Sequence, residues 1–336
     1  MSRFVVALLL LVCCARPAAA VPDADAVRKA VEAVGGKITL SPAGDPVAID
    51  LYDGNNPLKG KGGRNLAVND AWLEHLAAAT TLERLNLANC DVHGPGLEHV
   101  AGLTKLKGLG LTLTPVTDEH LVHLAGLVEL ESLSLASSQC NGTGFAHLRG
   151  LTKLADVNMH FTPANDAGIA AVAAMPNLKR LWVAHAHFTD AVAPSLSGMK
   201  CLARLGIGSS EKESSGKALA GMAGVPLAEL ELLDRQATDE AVSFAAAIAT
   251  LRVLGISYGP GVTDAAVDSL LAFPALEELK LGQTKITDSG LTRLAELKSL
   301  KTLRLTRSKQ ANQQSWTDAA LEHLRTTRPD LTLDVK

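Results

Sequence analysis

One catalytic motif occurs in the sequence, and its surroundings argue against catalysis. Residues Gly255-Ile256-Ser257-Tyr258-Gly259 match G-x-S-x-G, the nucleophile elbow of hydrolases. An elbow holds its serine on a sharp turn that leads directly into a helix, whereas Ser257 falls in a predicted strand and the next helix is predicted to start at Thr263-Asp264. The H-E-x-x-H motif, a C-x-x-C pair after residue 20 and the dinucleotide-binding glycine fingerprint are all missing. The sequence therefore predicts no catalytic residue and no cofactor.

Histidines suggest a second kind of chemistry, metal binding. His160, His185 and His187 fall on two consecutive predicted strands and the following turn, from which three imidazoles can reach one ion. This spacing gives the hypothesis of a metal- or small-ligand-binding module. Another set recurs at a constant interval and at one helix position, and duplication of an ancestral unit explains it without a ligand. Its members are His75, His99, His123 and His147.

All of these residues belong to a leucine repeat. A segment L-x-x-L-x-L returns from Leu82 to Leu305, and the steps between its central positions are 24, 24, 24, 24, 24, 25, 24, 25 and 24. These positions are Leu85, Leu109, Leu133, Val157, Leu181, Leu205, Leu230, Leu254, Leu279 and Leu303. The alternation puts the apolar side chains on one face of a short strand. One unit cannot bury its own leucines, so neighbouring units must stack into a continuous core.

Each strand is followed by a turn and a short predicted helix, whose apolar residues recur at three- and four-residue spacing. Thr-Asp pairs precede six of these segments and are predicted to cap the helices. The pairs are Thr117-Asp118, Thr189-Asp190, Thr238-Asp239, Thr263-Asp264, Thr287-Asp288 and Thr317-Asp318. Small hydroxyl or thiol groups before the cap, such as those of Cys90, Thr114 and Thr162, are predicted to bond the neighbouring backbone.

The unit L-x-x-L-x-L-x-x-T-x-V-T-D-x-x-L-x-x-L-x-x-L, complete at Leu106–Leu127, resembles bacterial secreted leucine-rich repeat proteins with Thr-Asp-type units, which are related to the cysteine-containing leucine-rich repeats. The resemblance covers nearly all of the chain after residue 20. It implies an α/β solenoid, curved, with parallel strands on the concave face and helices on the convex face. For function, it implies recognition of a protein or another ligand.

Residues between the strand leucines are predicted to line the concave face, and two consecutive units carry unusual ones. We call this set the concave patch: Asp156, Asn158, His160, Phe161, Arg180, Trp182 and His185. The chain has only 3 Trp, 2 Tyr and 6 Phe, so two aromatic residues on this surface are informative. Aromatic, arginine and histidine side chains on an exposed strand surface are typical of a recognition hot spot. In the alternative interpretation, Phe161 folds into the adjacent turn and Trp182 only covers Gly206.

The first 20 residues have the features of a secretory signal. Arg3 precedes an apolar run from Phe4 to Cys14, and Ala18-Ala19-Ala20 forms a small-residue cleavage site. We expect the protein to be exported, either to the periplasm or to the cell exterior. Neither this run nor any later stretch is long enough for a membrane span. A lipid anchor at Cys13 or Cys14 is an alternative.

Cleavage after Ala20 removes Arg3 and Arg16, so Lys+Arg falls from 32 to 30 against 35 acidic residues, a formal charge of −5. Without a basic field, neither nucleic acid nor an anionic membrane is an expected partner. The remaining cysteines, Cys90, Cys140 and Cys201, belong to separate units and are expected to lie too far apart for a disulfide.

The repeat array is expected to have a cap at each end. The predicted divisions are a signal peptide at 1–20, an N-terminal cap with a first irregular repeat at 21–81, leucine-rich repeats at 82–326 and a C-terminal cap strand at 327–336. Within the N-terminal cap, a helix is predicted over Asp23–Val34 and strands over Lys37–Leu40 and 47–51. Polar loops are predicted at Asn55–Arg64, Ile207–Leu219 and Leu305–Thr317.

The sequence thus predicts a non-enzymatic exported protein that recognises a protein partner through the concave patch. A second hypothesis is a structural component of the cell envelope that assembles with its own copies. The third is the metal- or small-ligand-binding module at the three histidines. The sequence leaves the partner's identity and the oligomeric state open.

Overall fold

The computed structural model describes residues 24–52, 63–307 and 315–336. The predicted signal peptide, positions 55–62 of the first polar loop and positions 308–314 of the last lie outside the described residues. The strands, β1 to β15 in chain order, are Lys37–Leu40, Pro46–Asp50, Asn65–Asn69, Arg84–Asn86, Cys90–Asp91, Gly108–Gly110, Ser132–Ser134, Asp156–Asn158, Arg180–Ala186, Arg204–Ser209, Glu229–Asp234, Val253–Ser257, Glu278–Gly282, Thr302–Thr306 and Thr332–Val335.

Thirteen of the described strands form one continuous sheet, in the order β1-β2-β4-β6-β7-β8-β9-β10-β11-β12-β13-β14-β15. β1 and β2 are antiparallel, and each later neighbour is parallel. The leucine marker of each unit pairs with that of the next, as Leu109 does with Leu133 and Leu279 does with Leu303. β3 and β5 pair separately. This register is that of a leucine-rich repeat solenoid, and the predicted α/β fold is confirmed.

The side chains of the strand leucines point inward and form a single core that extends from Val27 to Leu331. Their burial is nearly complete along the whole array, since Leu109 is 2% exposed and Leu254 is 0% exposed. Truncating a buried leucine to alanine typically costs about 2–5 kcal/mol. Because each unit contributes several such residues, the positions between them are free to vary on the opposite face of the sheet.

The segments on the other side of the core are shorter and tighter than the predicted helices. The α-helices, α1 to α7, are Ala24–Ala33, Asp166–Ala173, Ala193–Ser197, Asp239–Ala245, Val267–Leu271, Asp288–Arg293 and Asp318–Thr327. The 3₁₀ segments are Ala71–Leu76, Pro95–His99, Asp118–Leu124, Thr143–Leu148, Asp190–Val192, Lys217–Leu219, Met222–Gly224, Asp264–Ala266 and Leu294–Glu296. Buried Leu121, Leu124 and Leu127 recur every third residue, which is the period of a 3₁₀ helix.

The Thr-Asp pairs do more than the predicted capping. Thr189, Thr238, Thr263 and Thr287 accept a hydrogen bond from their own helix, whereas Thr117 and Thr317 make no such bond. Five of the six aspartates also reach the next unit, whereas Asp318 pairs with Arg307. The Asp239 carboxylate accepts the backbone N–H of Thr263 at 2.7 Å and its hydroxyl at 2.8 Å.

Among the residues that the structure describes, seven aspartates make such forward contacts, which we call the aspartate ladder. They are Asp70, Asp118, Asp166, Asp190, Asp239, Asp264 and Asp288. Glycine stands at the corresponding position in three other units, at Gly94, Gly142 and Gly216, each with a positive φ. A glycine has no carboxylate to offer, so the ladder is interrupted there.

A residue near the carboxyl end of each strand forms a second repeated feature. In eight units within the described ranges this residue is not glycine and has a φ between 54° and 60°. These positions are Asn89, Leu113, Ser137, Phe161, His185, Asp234, Tyr258 and Gln283. The left-handed region is uncommon for bulky residues. It turns the chain away from the strand and leaves Leu113, Phe161 and Tyr258 exposed on one rim of the sheet.

Both ends of the array are closed. At the N-terminus, α1 matches the predicted helix, although Asp23 lies outside the described residues, and buried Val27 and Val31 pack it onto the core. At the other end, the guanidinium of Arg328 donates to the carbonyls of Ala295, Leu297 and Leu300. Arg328 is 4% exposed and therefore satisfies carbonyl groups that would otherwise be buried without a partner.

Candidate recognition surface

Trp182 lies on β9, on the concave face of the sheet, between Asn158 of β8 and Gly206 of β10 in the strand register. Its indole rests on Gly206, where an added Cβ would stand 2.5 Å from the ring. The side chain is only partly buried and lines a groove on the same face. Both interpretations of the sequence therefore hold in part, because Trp182 covers Gly206 and still presents its ring to the concave side.

His160 fixes the other edge of the indole. The Nε1–H of Trp182 donates to His160 Nδ1 over 3.3 Å, so this nitrogen carries a lone pair and the imidazole proton resides on Nε2. Burial lowers the pKa of His160, a positive charge on His185 lowers it further, and the Asp234 carboxylate opposes both effects. The neutral form that accepts the indole bond is the form these surroundings favour.

Phe161 and His185 extend this aromatic surface onto the rim. Their rings are stacked, with centroids 4.1 Å apart and planes at 11°, and the His160 ring meets that of Phe161 edge to face at 4.3 Å. Phe161 is 55% exposed. The alternative in which Phe161 folds into the adjacent turn is therefore wrong. An apolar ring is exposed beside two imidazoles, and it is held there by stacking and by a left-handed backbone.

Asp234 is a site residue that the sequence analysis did not find. It lies two strands away on β11, yet its carboxylate accepts the backbone N–H of His185 at 2.9 Å and contacts Nδ1 of the same residue at 2.8 Å. It crosses β10 at Gly208, where an added Cβ would meet the carboxylate at 2.7 Å. The left-handed residue of each earlier unit donates to a carbonyl of the next strand, as Phe161 does to Ala184. At His185 the aspartate supplies the acceptor instead.

The remaining members of the concave patch form its polar end. Arg180 Nη1 donates to Asp156 Oδ2 at 2.9 Å, and both side chains are partly exposed. Asn158 Oδ1 accepts the backbone N–H of His160 at 3.0 Å, which leaves its amide nitrogen directed elsewhere. The structure thus brings all seven residues of the patch onto two neighbouring strands and the turns after them.

A groove of about 750 Å³ begins at Trp182 and runs toward the N-terminal units. Its floor is made by small residues of β6 and β7, namely Gly108, Gly110, Ser132 and Ser134. One wall carries Asp156, Asn158, Arg180 and Trp182, and the opposite wall carries Lys37, Thr39, Asp50, Arg84 and Asn86. We refer to this feature as the groove. It is a depression in the sheet face, created because long side chains on both sides flank a strip of glycine and serine.

The three-histidine metal hypothesis is wrong in its geometry. His187 turns to Glu211, with 2.8 Å between Nδ1 and Oε1, while the rings of His160 and His185 lie together at a centroid distance of 5.0 Å. Within residues 24–52, 63–307 and 315–336, no three His, Cys, Asp or Glu side chains are grouped to hold a metal ion. The two imidazoles that do meet belong to the aromatic surface beside Trp182.

Ser257 is the last residue of β12, and it is followed by Tyr258 in a left-handed turn. The next helical residue is Asp264, so the strand does not lead directly into a helix as a nucleophile elbow requires. The predicted position of Ser257 in a strand is confirmed.

The charged side chains on the C-terminal strands of the concave face are paired with one another. Glu231 is 9% exposed and lies over Gly255, and Lys280 Nζ contacts its carboxylate at 3.0 Å. Arg204 pairs with Glu229, and Arg304 pairs with Glu278. The charges on this half of the concave face are therefore largely compensated by one another.

The comparison with protein families agrees with the repeat assignment. A family model described as a leucine-rich repeat matches residues 78–101 and 274–295. An internalin from Listeria monocytogenes is 16% identical, with 93% of this chain and 95% of that chain covered and a TM-score of 0.44. A leucine-rich repeat protein of Leptospira interrogans is also 16% identical, with 78% and 62% covered and a TM-score of 0.45. No curated protein matches.

The chain thus has a leucine-rich repeat fold, and the family model matches two stretches of it. In the part of the chain that the structure describes, no helix has the length and apolar character needed to cross a bilayer.

Proposed function

We propose that this protein is an exported recognition protein that binds another protein through the concave patch, without catalysis. The observation that carries this proposal is the arrangement around Trp182. An indole set on Gly206, a neutral imidazole and a half-exposed phenylalanine form one apolar surface on an otherwise small or polar sheet face. Binding energy in protein interfaces concentrates in such aromatic groups.

Two features support the choice of a macromolecular ligand. The groove is open and shallow, and its lining includes five charged side chains, which suits a polar interface more than the enclosed apolar pocket of a small ligand. The aromatic rings are also ordered before binding, since stacking and the Asp234 contacts hold them, so little side-chain freedom is lost on association.

Export is part of the proposal and is supported by residues 1–20 of the sequence. Sequencing the N-terminus of the protein recovered from periplasmic and culture fractions tests it. Cleavage after Ala20 should give a chain that begins with Val21. An uncleaved chain in the cytosol would contradict this part of the proposal and leave the binding surface unaffected.

The binding proposal is tested by affinity capture with the purified chain as bait. We expect Trp182→Ala to lose a captured protein that the wild type retains. Tyr258→Ala is the matched control, because Tyr258 is 57% exposed on the same rim and lies outside the concave patch. Equal capture by all three baits would overturn the concave patch as the contact region. Circular dichroism and the urea midpoint of each variant establish that folding is unchanged.

A further inference from the structure

The two halves of the concave face differ in how their charges are paired. On the C-terminal strands, the arginines and lysines that face the sheet have carboxylate partners. In the groove, Arg180 is paired with Asp156, and Asp50 accepts from the Asn86 amide at 2.9 Å. Lys37 and Arg84 are lining cations with no ion pair to any residue that the structure describes. Asp50 is the cross-strand neighbour of Lys37, so the wall opposite Trp182 carries two cations and one carboxylate, a net charge of +1.

The floor sets the width of what can enter. From β4 to β8 there are three strand spacings, which is about 14 Å between the backbones of the two walls. Between them, β6 and β7 carry no side chain larger than serine on this face. An α-helix with its side chains is about 10–12 Å across, so one helix fits along the floor.

The backbone of the sheet favours a helix over an extended peptide. The floor strands β6 and β7 each have a parallel strand on both sides, and their hydrogen bonds are used within the sheet. An extended segment gains main-chain hydrogen bonds when it adds to a sheet edge, which the groove does not provide. A helix satisfies its own backbone and needs only side-chain contacts with the face.

We infer that the partner presents an acidic amphipathic α-helix that lies in the groove along the strands. Its carboxylates face Arg84 and Lys37, and its apolar stripe packs against Trp182. This inference rests on the proposed function and adds the kind of partner. The contact spans about two helical turns, since a three-residue strand is about 10 Å long. Raising the salt concentration should weaken binding, because salt screens the attraction between the partner's carboxylates and these exposed cations.

Two displayed libraries of equal size test the inference with the wild-type chain as the target. In one, the outer face of a helix in a stable helical scaffold is randomised. In the other, the same number of positions is randomised in a flexible glycine-serine loop. We expect the helix library to give binders enriched in Asp and Glu. Their affinity should fall at least tenfold for Arg84→Glu and for Trp182→Ala, and should be unchanged for Arg149→Glu, an exposed arginine that follows the 3₁₀ segment Thr143–Leu148 on the opposite side.

The outcomes separate this inference from the proposed function. Binders that need Trp182 but are indifferent to Arg84→Glu, or that come only from the loop library, overturn the acidic helix and leave the concave patch standing. Binders indifferent to both substitutions overturn both. Enrichment of neutral or basic helices, or no binders from either library, also contradicts the inference. The urea midpoint of each variant shows that it is folded.

Discussion

Asp234 holds His185 from two strands away, with one carboxylate oxygen on the backbone N–H at 2.9 Å and the other on Nδ1 at 2.8 Å. The contact crosses β10 at Gly208, which offers no side chain to block it. Because His185 in turn stacks on Phe161, the position of the exposed ring depends on a carboxylate that belongs to β11, three strands beyond β8.

Asp234→Asn should therefore loosen the aromatic surface. Asparagine tolerates the left-handed backbone at this position, so the change mainly removes the charge. Hydrogen bonds to charged groups contribute about 1.5–3 kcal/mol, and we expect a loss of stability in that range. Urea unfolding measures this loss, and the NMR signals of the Phe161 and His185 rings should become averaged over several ring positions. Asp334→Asn, on the partly exposed last strand, is the control and should leave both readouts nearly unchanged. A variant with ordered rings would contradict the role given to Asp234.

Gly206→Ala should displace Trp182 without unfolding the chain. The added methyl group would lie 2.5 Å from the indole, so the ring must tilt out of its place over β10. We expect a shift in the fluorescence of Trp182, together with weaker partner binding. The Trp182 signal is obtained by subtracting the spectrum of Trp182→Phe, recorded once in the wild type and once in Gly206→Ala. Gly150→Ala is the matched control because nothing lies within 4 Å of its added carbon. An unchanged Trp182 spectrum in Gly206→Ala would refute the seating of the indole on this glycine.

Acidification should destabilise the region around His160. Its pKa in the folded chain lies below the ordinary value of 6.5, mainly because of burial, so the unfolded chain takes up a proton more readily. The contribution of His160 to stability is fully present above pH 6.5 and is lost as the pH drops from 6.5 through the lowered pKa of the folded state. The urea midpoint should therefore fall between pH 7.5 and pH 5.

His160→Gln should reduce that pH dependence, since the Gln oxygen can accept the indole bond without titrating. His147→Gln, at an exposed position on the opposite side, should retain the wild-type dependence. Equal slopes for wild type and His160→Gln would rule out His160 as the source.

Removing one carboxylate of the aspartate ladder should cost more than removing an exposed ion pair. Asp118 accepts three backbone N–H groups of the next unit, those of Asn141, Gly142 and Gly144, at 2.6–3.0 Å. Because Asp118→Ala leaves them without an acceptor, we expect a loss of about 3 kcal/mol. Asp268→Ala, which breaks only the surface pair with Arg293, should change the urea midpoint little. Similar midpoints for both variants would show that the ladder adds little.

The cysteines should differ in reactivity. Cys90 and Cys140 are buried, and burial raises the pKa of each thiol to about 12, so neither supplies a thiolate at neutral pH. Cys201 is exposed. In a chain cleaved after Ala20, a maleimide should label one thiol in native conditions and three in urea. Rapid native labelling that persists in Cys201→Ser would contradict this.

The fold was accessible from the sequence because the leucine interval is a direct record of the strand register. Each marker, such as Leu109, pairs with the marker of the next unit, and no long-range information beyond the repeat is needed. The exposed ring of Phe161 and the concave position of Trp182 follow from the same register. The 3₁₀ form of the first segments was hidden, because a three-residue spacing of apolar groups satisfies either helix type.

The support of the site was not accessible in this way. Asp234 belongs to a unit two strands from His185, and only the loss of a regular turn in the intervening unit frees the backbone N–H that it binds. The sequence predicts a polar loop at Ile207–Leu219 in that unit, yet its effect falls on the neighbouring strands. A pattern that repeats at a fixed interval reports contacts between equivalent positions and is silent about a side chain that reaches past one strand.

The three glycines that interrupt the aspartate ladder divide the solenoid into short sections, within which an aspartate of each unit bonds the backbone of the next. Because every aspartate contact runs to the following unit, this contact is missing after Gly94, Gly142 and Gly216. The joint at Gly142 falls between the unit that supplies Ser132 and Ser134 to the groove floor and the unit that begins the concave patch. At this joint direct backbone packing takes the place of the carboxylate, since a Cβ added to Gly168 would lie 1.8 Å from the carbonyl oxygen of Asn141.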